Sequence, residues 1–269
     1  MILPILGGAY LGWSLGANDA SNVFGTAVTS KMVKFGTAAA LCSGFVLVGA
    51  ALQGTEGMHT LGGLTTQTSL TAGLTAIAAA VTVTIMTFLK LPISTSQAVV
   101  GSILGIGLMQ GELNTAGLGK VVACWVGTPV GAAILAMVLY PTGAWLFNRL
   151  RLGMYRQDTV LRAGLIIVGC YGAYALGANN VANVASLFLG AEGLTNWLEG
   201  WLGEGLMMRA LALLGGLFIG VGVITFSRRV MDTVGKGIVK LDGFSSLVVV
   251  TAEAVTVHVY AMVGVPVST

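Results

Sequence analysis

Charge is scarce in this sequence: Asp, Glu, Lys and Arg make up 9% of its 269 residues, against roughly 25% in an ordinary soluble domain. That shortage excludes a soluble globular protein, and the strongly apolar composition excludes a disordered segment. A nucleic-acid binder is excluded too, because 13 basic against 10 acidic residues leave a net charge of +3, too little to track a phosphate backbone. Cysteine is equally sparse. Cys42, Cys124 and Cys170 are the only three, each in an apolar run with no CxxC spacing, so they read as packed free thiols rather than a disulfide or metal framework. With two histidines there is no His/Glu metal motif, and neither a serine–base pair nor a second carboxylate sits beside Asp19, which argues against an enzyme. The first apolar stretch lacks a basic region ahead of it, so it is expected to stay as a helix rather than be removed as a signal peptide.

What is abundant is apolar surface: 55% of residues are hydrophobic and the mean hydropathy is +0.90. Apolar segments lie near residues 1–17, 36–53, 70–90, 98–109, 119–147, 163–178, 210–226 and 244–265. At about 20 residues per crossing, the chain has room for roughly seven or eight crossings or half-crossings. The expected class is an all-α, multi-pass integral membrane protein of the cell (plasma) membrane. Its 40 glycines, as in Gly215-Gly216-x-x-x-Gly220, suit close helix packing in lipid. Basic residues cluster at Arg149, Arg151, Arg156 and Arg162, and again at Arg228, Arg229, Lys236 and Lys240; Glu192, Glu199 and Glu204 lie between. By the positive-inside rule the basic stretches are cytoplasmic and the acidic one is outside. Lys31 and Lys34 then place the end of the first helix inside and Met1 outside. Three plain crossings bring the chain inside near Lys90, and residues 91–148 must hold an even number of passes: a hairpin over 91–111 and a long helix broken near Thr128-Pro129.

The chain repeats itself. Leu15-Gly16-Ala17-Asn18-Asp19-Ala20-Ser21-Asn22-Val23 recurs as Leu176-Gly177-Ala178-Asn179-Asn180-Val181-Ala182-Asn183-Val184, an offset of 161 residues. Leu91-Pro92-Ile93-Ser94-Thr95 recurs as Val265-Pro266-Val267-Ser268-Thr269, an offset of 174, and between them His59-Thr60-Leu61-Gly62 echoes Asp232-Thr233-Val234-Gly235. Three echoes in one order indicate duplication. The units are 1–150 and 163–269, joined by a basic cytoplasmic linker at 151–162. Because one unit starts outside and the other inside, the expected architecture is an inverted-topology repeat with interrupted helices and re-entrant hairpins, of the kind secondary transporters use. The second unit stops within its copy of the second motif, so about 50 residues are expected to be missing from it.

Polar clusters inside apolar helices are costly, so their twofold occurrence points to ligands. Gly16 and Gly177 are expected to let the helix unwind just ahead of each Asn cluster. The half-helix beyond then offers free N–H groups to an anion, while Asn18, Asp19, Asn179 and Asn180 offer hard oxygens to a small cation. Pro92 suits the first turn of a second interrupted helix, and the hydroxyls of Ser94, Thr95 and Ser96 cap it. With its copy ending in Ser268 and Thr269, it makes a neutral cage fit for a tetrahedral oxyanion.

These residues resemble the inorganic phosphate transporter (PiT) family. Its duplicated Gly-Ala-Asn-Asp-x-x-Asn signature is similar to Gly16–Asn22 and Gly177–Asn183, its Pro-Val-Ser-Thr motif to Pro92–Thr95 and Pro266–Thr269, and its basic motif to Arg228–Lys236. The resemblance implies symport of inorganic phosphate with Na⁺ or H⁺. It implies anion contacts from Asn18, Asn22, Asn179, Asn183, Ser94, Thr95, Ser96, Gln97, Ser268 and Thr269, and a coupling cation at Asp19 with Asn18, Asn179 and Asn180. No other cofactor is implied; the partners are the anion, the cation and the bilayer, with a homodimer allowed. The sequence departs from the family at Asn180, where aspartate is usual. It departs again at Val46-Leu47-Val48, which lack the family's carboxylate, and at Gln97, where a Thr-His pair is common. Sulfate is therefore the alternative substrate, and a passive anion channel a further one.

Among the remaining ionisable groups, Glu253 and His258 lie about 140° apart on one helix and are not expected to pair; either one relays protons or packs as a hydrogen-bonded polar group. Asp232 and Asp242 read as solvated charges, His59 as a partnerless loop residue and Lys90 as a snorkelling side chain.

Overall fold

The computed structural model describes residues 2–151, 153–235 and 241–268. Among them the regular structure is entirely helical, as the composition requires: in lipid every backbone group must find a partner within its own segment. The helices are α1 (Ile2–Thr29), α2 (Phe35–Gln53), α3 (Glu56–Gly62), α4 (Ser69–Phe88), α5 (Thr95–Gln110), α6 (Thr115–Arg149), α7 (Met154–Phe188), α8 (Glu192–Leu202), α9 (Glu204–Phe226), α10 (Arg228–Thr233) and α11 (Gly243–Met262). Six of these, α2, α4, α6, α7, α9 and α11, are long and apolar enough to cross a membrane. The protein is a multi-pass integral membrane protein.

The two signature helices form the centre. α1 and α7 touch each other, and each is gripped by elements of the opposite half of the chain: α1 packs on α9 and α10, α7 on α2 and α3. Within its own half, α1 lies along α4 and α7 along α11. The crossings depend on glycine. A Cβ on Gly16 would strike the Ile219 carbonyl and one on Gly222 the Trp13 carbonyl; Gly177 stands in the same way against Val46, and Gly49 against Tyr174. Both helices run unbroken through these points. The expected unwinding at Gly16 and Gly177 is therefore corrected: these glycines admit a neighbouring backbone, and the intact helix keeps its own bonds where an unwound turn would leave them open.

The interruptions lie elsewhere. After α4 the chain runs without helix from Leu91 to Ser94, and after α11 it does so from Val265 to Ser268. Residues 91–111 are not a hairpin by themselves; the hairpin is α4 with α5. Its open ends lie together, the Asn114 N–H donating to Leu64 O and Thr65 Oγ1 to Glu112 O. α5, with 16 residues, is about 24 Å long, short of the roughly 30 Å a hydrocarbon core requires. α6 crosses Thr128-Pro129 as a continuous helix, because a break facing lipid would expose more backbone than the one bond a proline removes. The stretch 151–162 is mostly not a linker either: α7 begins at Met154.

Basic residues gather at one end of the bundle. Arg228 stacks on Phe35 at 5.6 Å and Gly243 lies beside Met32 and Leu161. Lys31, Lys34, Arg149 and the start of α7 thus share one end of the bundle with Arg228 and Arg229. Lys236 and Lys240 lie outside the described residues. At the other end α8 carries Trp197 and Trp201, both exposed and 6.5 Å apart, an amphipathic helix suited to the membrane interface. Cys42, Cys124 and Cys170 are free thiols. His59 sits on the short helix α3, not in a loop. Asp242 does more than face water: it caps α11, accepting from the Ser245 N–H at 2.6 Å.

Candidate functional site

The two non-helical segments are held by the signature asparagines. Asn18 Nδ2 donates to Thr87 Oγ1 at 3.0 Å and to Leu91 O at 3.1 Å, and its Oδ1 accepts from the Ile93 N–H at 3.1 Å. Asn179 repeats the pattern, donating to Val265 O at 2.9 Å and accepting from the Val267 N–H at 2.8 Å. Leu91 and Val265, and Ile93 and Val267, are the paired positions of the second repeat motif. Each amide therefore substitutes for a strand edge, stapling an extended segment to the middle of a helix. Asn18 and Asn179, expected as ion and anion ligands, hold these two segments by their backbone, Asn18 donating to the Thr87 hydroxyl as well.

The staples bring the next residues together. Asp19, 2% exposed, accepts from Thr95 Oγ1 at 2.9 Å on one oxygen and from Asn180 Nδ2 at 3.4 Å on the other. Asp19 and Asn180 occupy the same place in the two signatures, so repeat-related residues meet face to face. Asn183 Nδ2 donates to Ser96 Oγ at 2.9 Å, and Ser96 Oγ donates to Val267 O at 2.9 Å. One buried network thus joins α1, α7, the start of α5 and the segment after α11.

The other expected residues surround it. Ser94 caps α5, its hydroxyl accepting from the Gln97 N–H at 3.2 Å. Asn22, half-buried, accepts from Ser21 Oγ at 3.3 Å. Gln97 and Ser268 line a cavity of about 380 Å³ between α5, α6 and α11, with room for a tetrahedral oxyanion and its water. Thr269 lies outside the described residues. The sequence reading did not place Glu253 at the site, yet it lines this cavity with Trp125 and Thr128; its only signal was a carboxylate inside an apolar helix. His258 is five residues on and bound elsewhere, between Tyr171 Oη at 2.7 Å and Gln53 Oε1 at 2.9 Å. Among the described residues no cluster of metal-ligating side chains of the His, Cys, Asp and Glu type is present.

The chain is similar to known proteins over nearly its whole length. The sulfate permease CysP of Bacillus subtilis is 27% identical over 99% of this chain and 73% of its own length. A protein of Methanocaldococcus jannaschii that bears a phosphate permease name is 25% identical over 97% of this chain and 78% of its own. The fold matches a solved sodium-dependent phosphate transporter with a TM-score of 0.80, at 21% identity, over 99% of this chain and 85% of that one. The model of the phosphate transporter family matches residues 15–269, a span that holds both signatures, both staples and the buried network, and the chain belongs to that family.

Proposed function

We propose that this protein is a secondary active transporter that carries inorganic phosphate across a membrane together with Na⁺ or H⁺, its two repeats rocking about a fixed site by alternating access. The observation that carries this reading is the junction of Asp19, Asn180, Asn183, Thr95 and Ser96. Both signature helices meet the start of α5 there, at a buried point. In this reading the anion lies in the adjoining cavity, where Gln97 and Ser268 offer neutral groups and the α5 N-terminus favours negative charge. The cation lies at Asp19. The exchanged packing, α1 on α9 and α7 on α2, supports an inverted pair of repeats, since each signature helix is held by the other half.

Sulfate is the second reading. Asn180 leaves the junction with a single carboxylate, and one relative that spans nearly the whole chain is a sulfate permease. Uptake of labelled phosphate into proteoliposomes, with and without an inward Na⁺ gradient and with unlabelled sulfate as competitor, separates the two. Na⁺-driven accumulation indifferent to sulfate supports the phosphate symporter; Na⁺-independent uptake that sulfate suppresses supports the alternative. Asp19→Asn is expected to abolish accumulation against a gradient without loss of expression. Full accumulation by that variant would refute the role given to Asp19, and passive equilibration alone in the parent would make the protein a channel.

A further inference from the structure

The junction leaves one intramembrane carboxylate without a task. Glu253 is the eleventh of the 20 residues of α11, and it lines the cavity between α5, α6 and α11. Among the described residues its carboxylate has neither a hydrogen bond nor an ion pair; the ion pair found among them is Arg162–Asp158. A lone charge at the middle of a spanning helix is costly, and a bound proton removes that cost. A second feature of the same wall points to a ligand. Trp125 has its indole N–H buried without a partner among the described residues, and Pro129, four residues on, lacks the N–H that would close the helical bond to the Trp125 carbonyl.

We propose that Glu253 is the proton-carrying group of this transporter, loaded and unloaded through the cavity beside the kink-prone turn of α6. The inference rests on the transport reading given above. The Glu253 carboxylate takes a proton from water in the cavity, crosses the rocking step neutral, and returns the proton to water on the other side, so no electrons move. A metal cation suits the place less well. It would meet an indole donor and two threonines whose hydroxyls already donate within their own helices, Thr128 to Cys124 O and Thr256 to Ala252 O. The titratable groups on the elements packed against α11 are Tyr10 and Asp19 on α1, Lys120, Cys124, Tyr140 and Arg149 on α6, Tyr155, Arg156, Asp158, Arg162, Cys170, Tyr171 and Tyr174 on α7, and His258 and Tyr260 on α11 itself. α3, at the far end of α11, carries Glu56 and His59.

The test uses proteoliposomes holding a pH-sensitive dye and the full chain. In the parent, phosphate entry is expected to draw protons inward. Glu253→Gln is expected to lower phosphate-coupled proton entry and uphill accumulation at least tenfold, while exchange of internal labelled for external unlabelled phosphate continues. Proton entry and accumulation equal to the parent's would overturn the proposal, and so would loss of exchange together with net uptake in a variant that unfolds at the parent's temperature. Glu253→Asp, which withdraws the acid by one methylene, is expected to keep exchange and shift the pH profile of accumulation; an unshifted profile counts against the proposal even if the Gln variant does not fold. Parent protein that exchanges neither phosphate nor sulfate refutes the transport reading itself. Parent protein that accumulates phosphate with no proton movement refutes only the inference about Glu253.

Discussion

Asn179→Ala distinguishes a staple from an ion ligand. The side chain it removes satisfies the Val265 carbonyl at 2.9 Å and the Val267 N–H at 2.8 Å, and both valines are 0% exposed. Neither group has water to turn to once the amide is gone. An unsatisfied buried backbone group costs about 1–3 kcal/mol, so two cost roughly 2–6 kcal/mol. At about 2–4 °C per kcal/mol for a chain of this size, thermal unfolding of the purified, ligand-free protein is expected roughly 4–24 °C below the parent. Asn18→Ala removes three bonds, to Thr87, Leu91 and Ile93, and is expected to lose at least as much. The assay is tryptophan fluorescence against temperature in detergent, with and without phosphate. An ion ligand behaves in the opposite way: its removal leaves the ligand-free protein as stable as before and abolishes only the stabilisation that phosphate adds. That outcome would refute the staple.

Gly177→Ala sets a methyl group against the Val46 carbonyl and is expected to cost more than about 3 kcal/mol, read as loss of folded, monodisperse protein on size exclusion. Gly101→Ala, in the open on α5 with nothing within 4 Å of its would-be Cβ, is the control and gains up to about 1 kcal/mol from helix propensity. Asp242→Ala removes the cap of α11 and is expected to cost about 1 kcal/mol. The Ser245 N–H holds the Asp242 carboxyl below the usual carboxylate range, so its contribution is complete above the unfolded value near ~3.9 and fades only as pH falls through the depressed one. Unfolding curves of parent and variant should therefore stay apart at neutral pH and converge in strong acid.

The residues that matter chemically were visible because they are out of place. Asp19 and its repeat mate Asn180 stand in apolar helices, and the offset between the two signatures pairs them before any geometry is known. Thr95 and Ser96 could be placed near them only through the second motif, whose offset differs by thirteen residues, so the sequence says that the motifs belong together and not which atoms meet. The bonds that Asn18 and Asn179 make were hidden because, Thr87 apart, their partners are backbone atoms of Leu91, Ile93, Val265 and Val267, and backbone looks alike in every sequence. Gly16 and Gly177 were misread for a related reason. A glycine beside a polar cluster signals a break when only its own helix is considered, and signals a crossing once Ile219 and Val46 occupy the space beside it. Pro129 carries the same lesson, since a proline breaks a helix only where the freed backbone finds another partner. Glu253 joins the site through packing of α11 on α6, a contact between segments more than a hundred residues apart.

If the proposed transport reading holds, the single carboxylate at the junction is expected to govern how many cations the site holds. Asp19 is kept between two neutral donors, Thr95 and Asn180, where a family member with aspartate at both places would carry two negative charges. Asn180→Asp restores that second charge at about the 3.4 Å that now separates Asn180 Nδ2 from Asp19 Oδ2. At an effective dielectric of ~20, two such charges repel by about 5 kcal/mol, more than a folded junction of this size absorbs without relief. Binding one further cation or proton between them supplies it. The variant is therefore expected to show uptake that depends more steeply on cation concentration, and to lose uptake at cation levels that still serve the parent. Its cation dependence, measured side by side with that of the parent in the same proteoliposomes, decides the point. A curve that overlays the parent's would mean that the charge at the junction does not set the coupling, which would then fall to the proton proposed for Glu253.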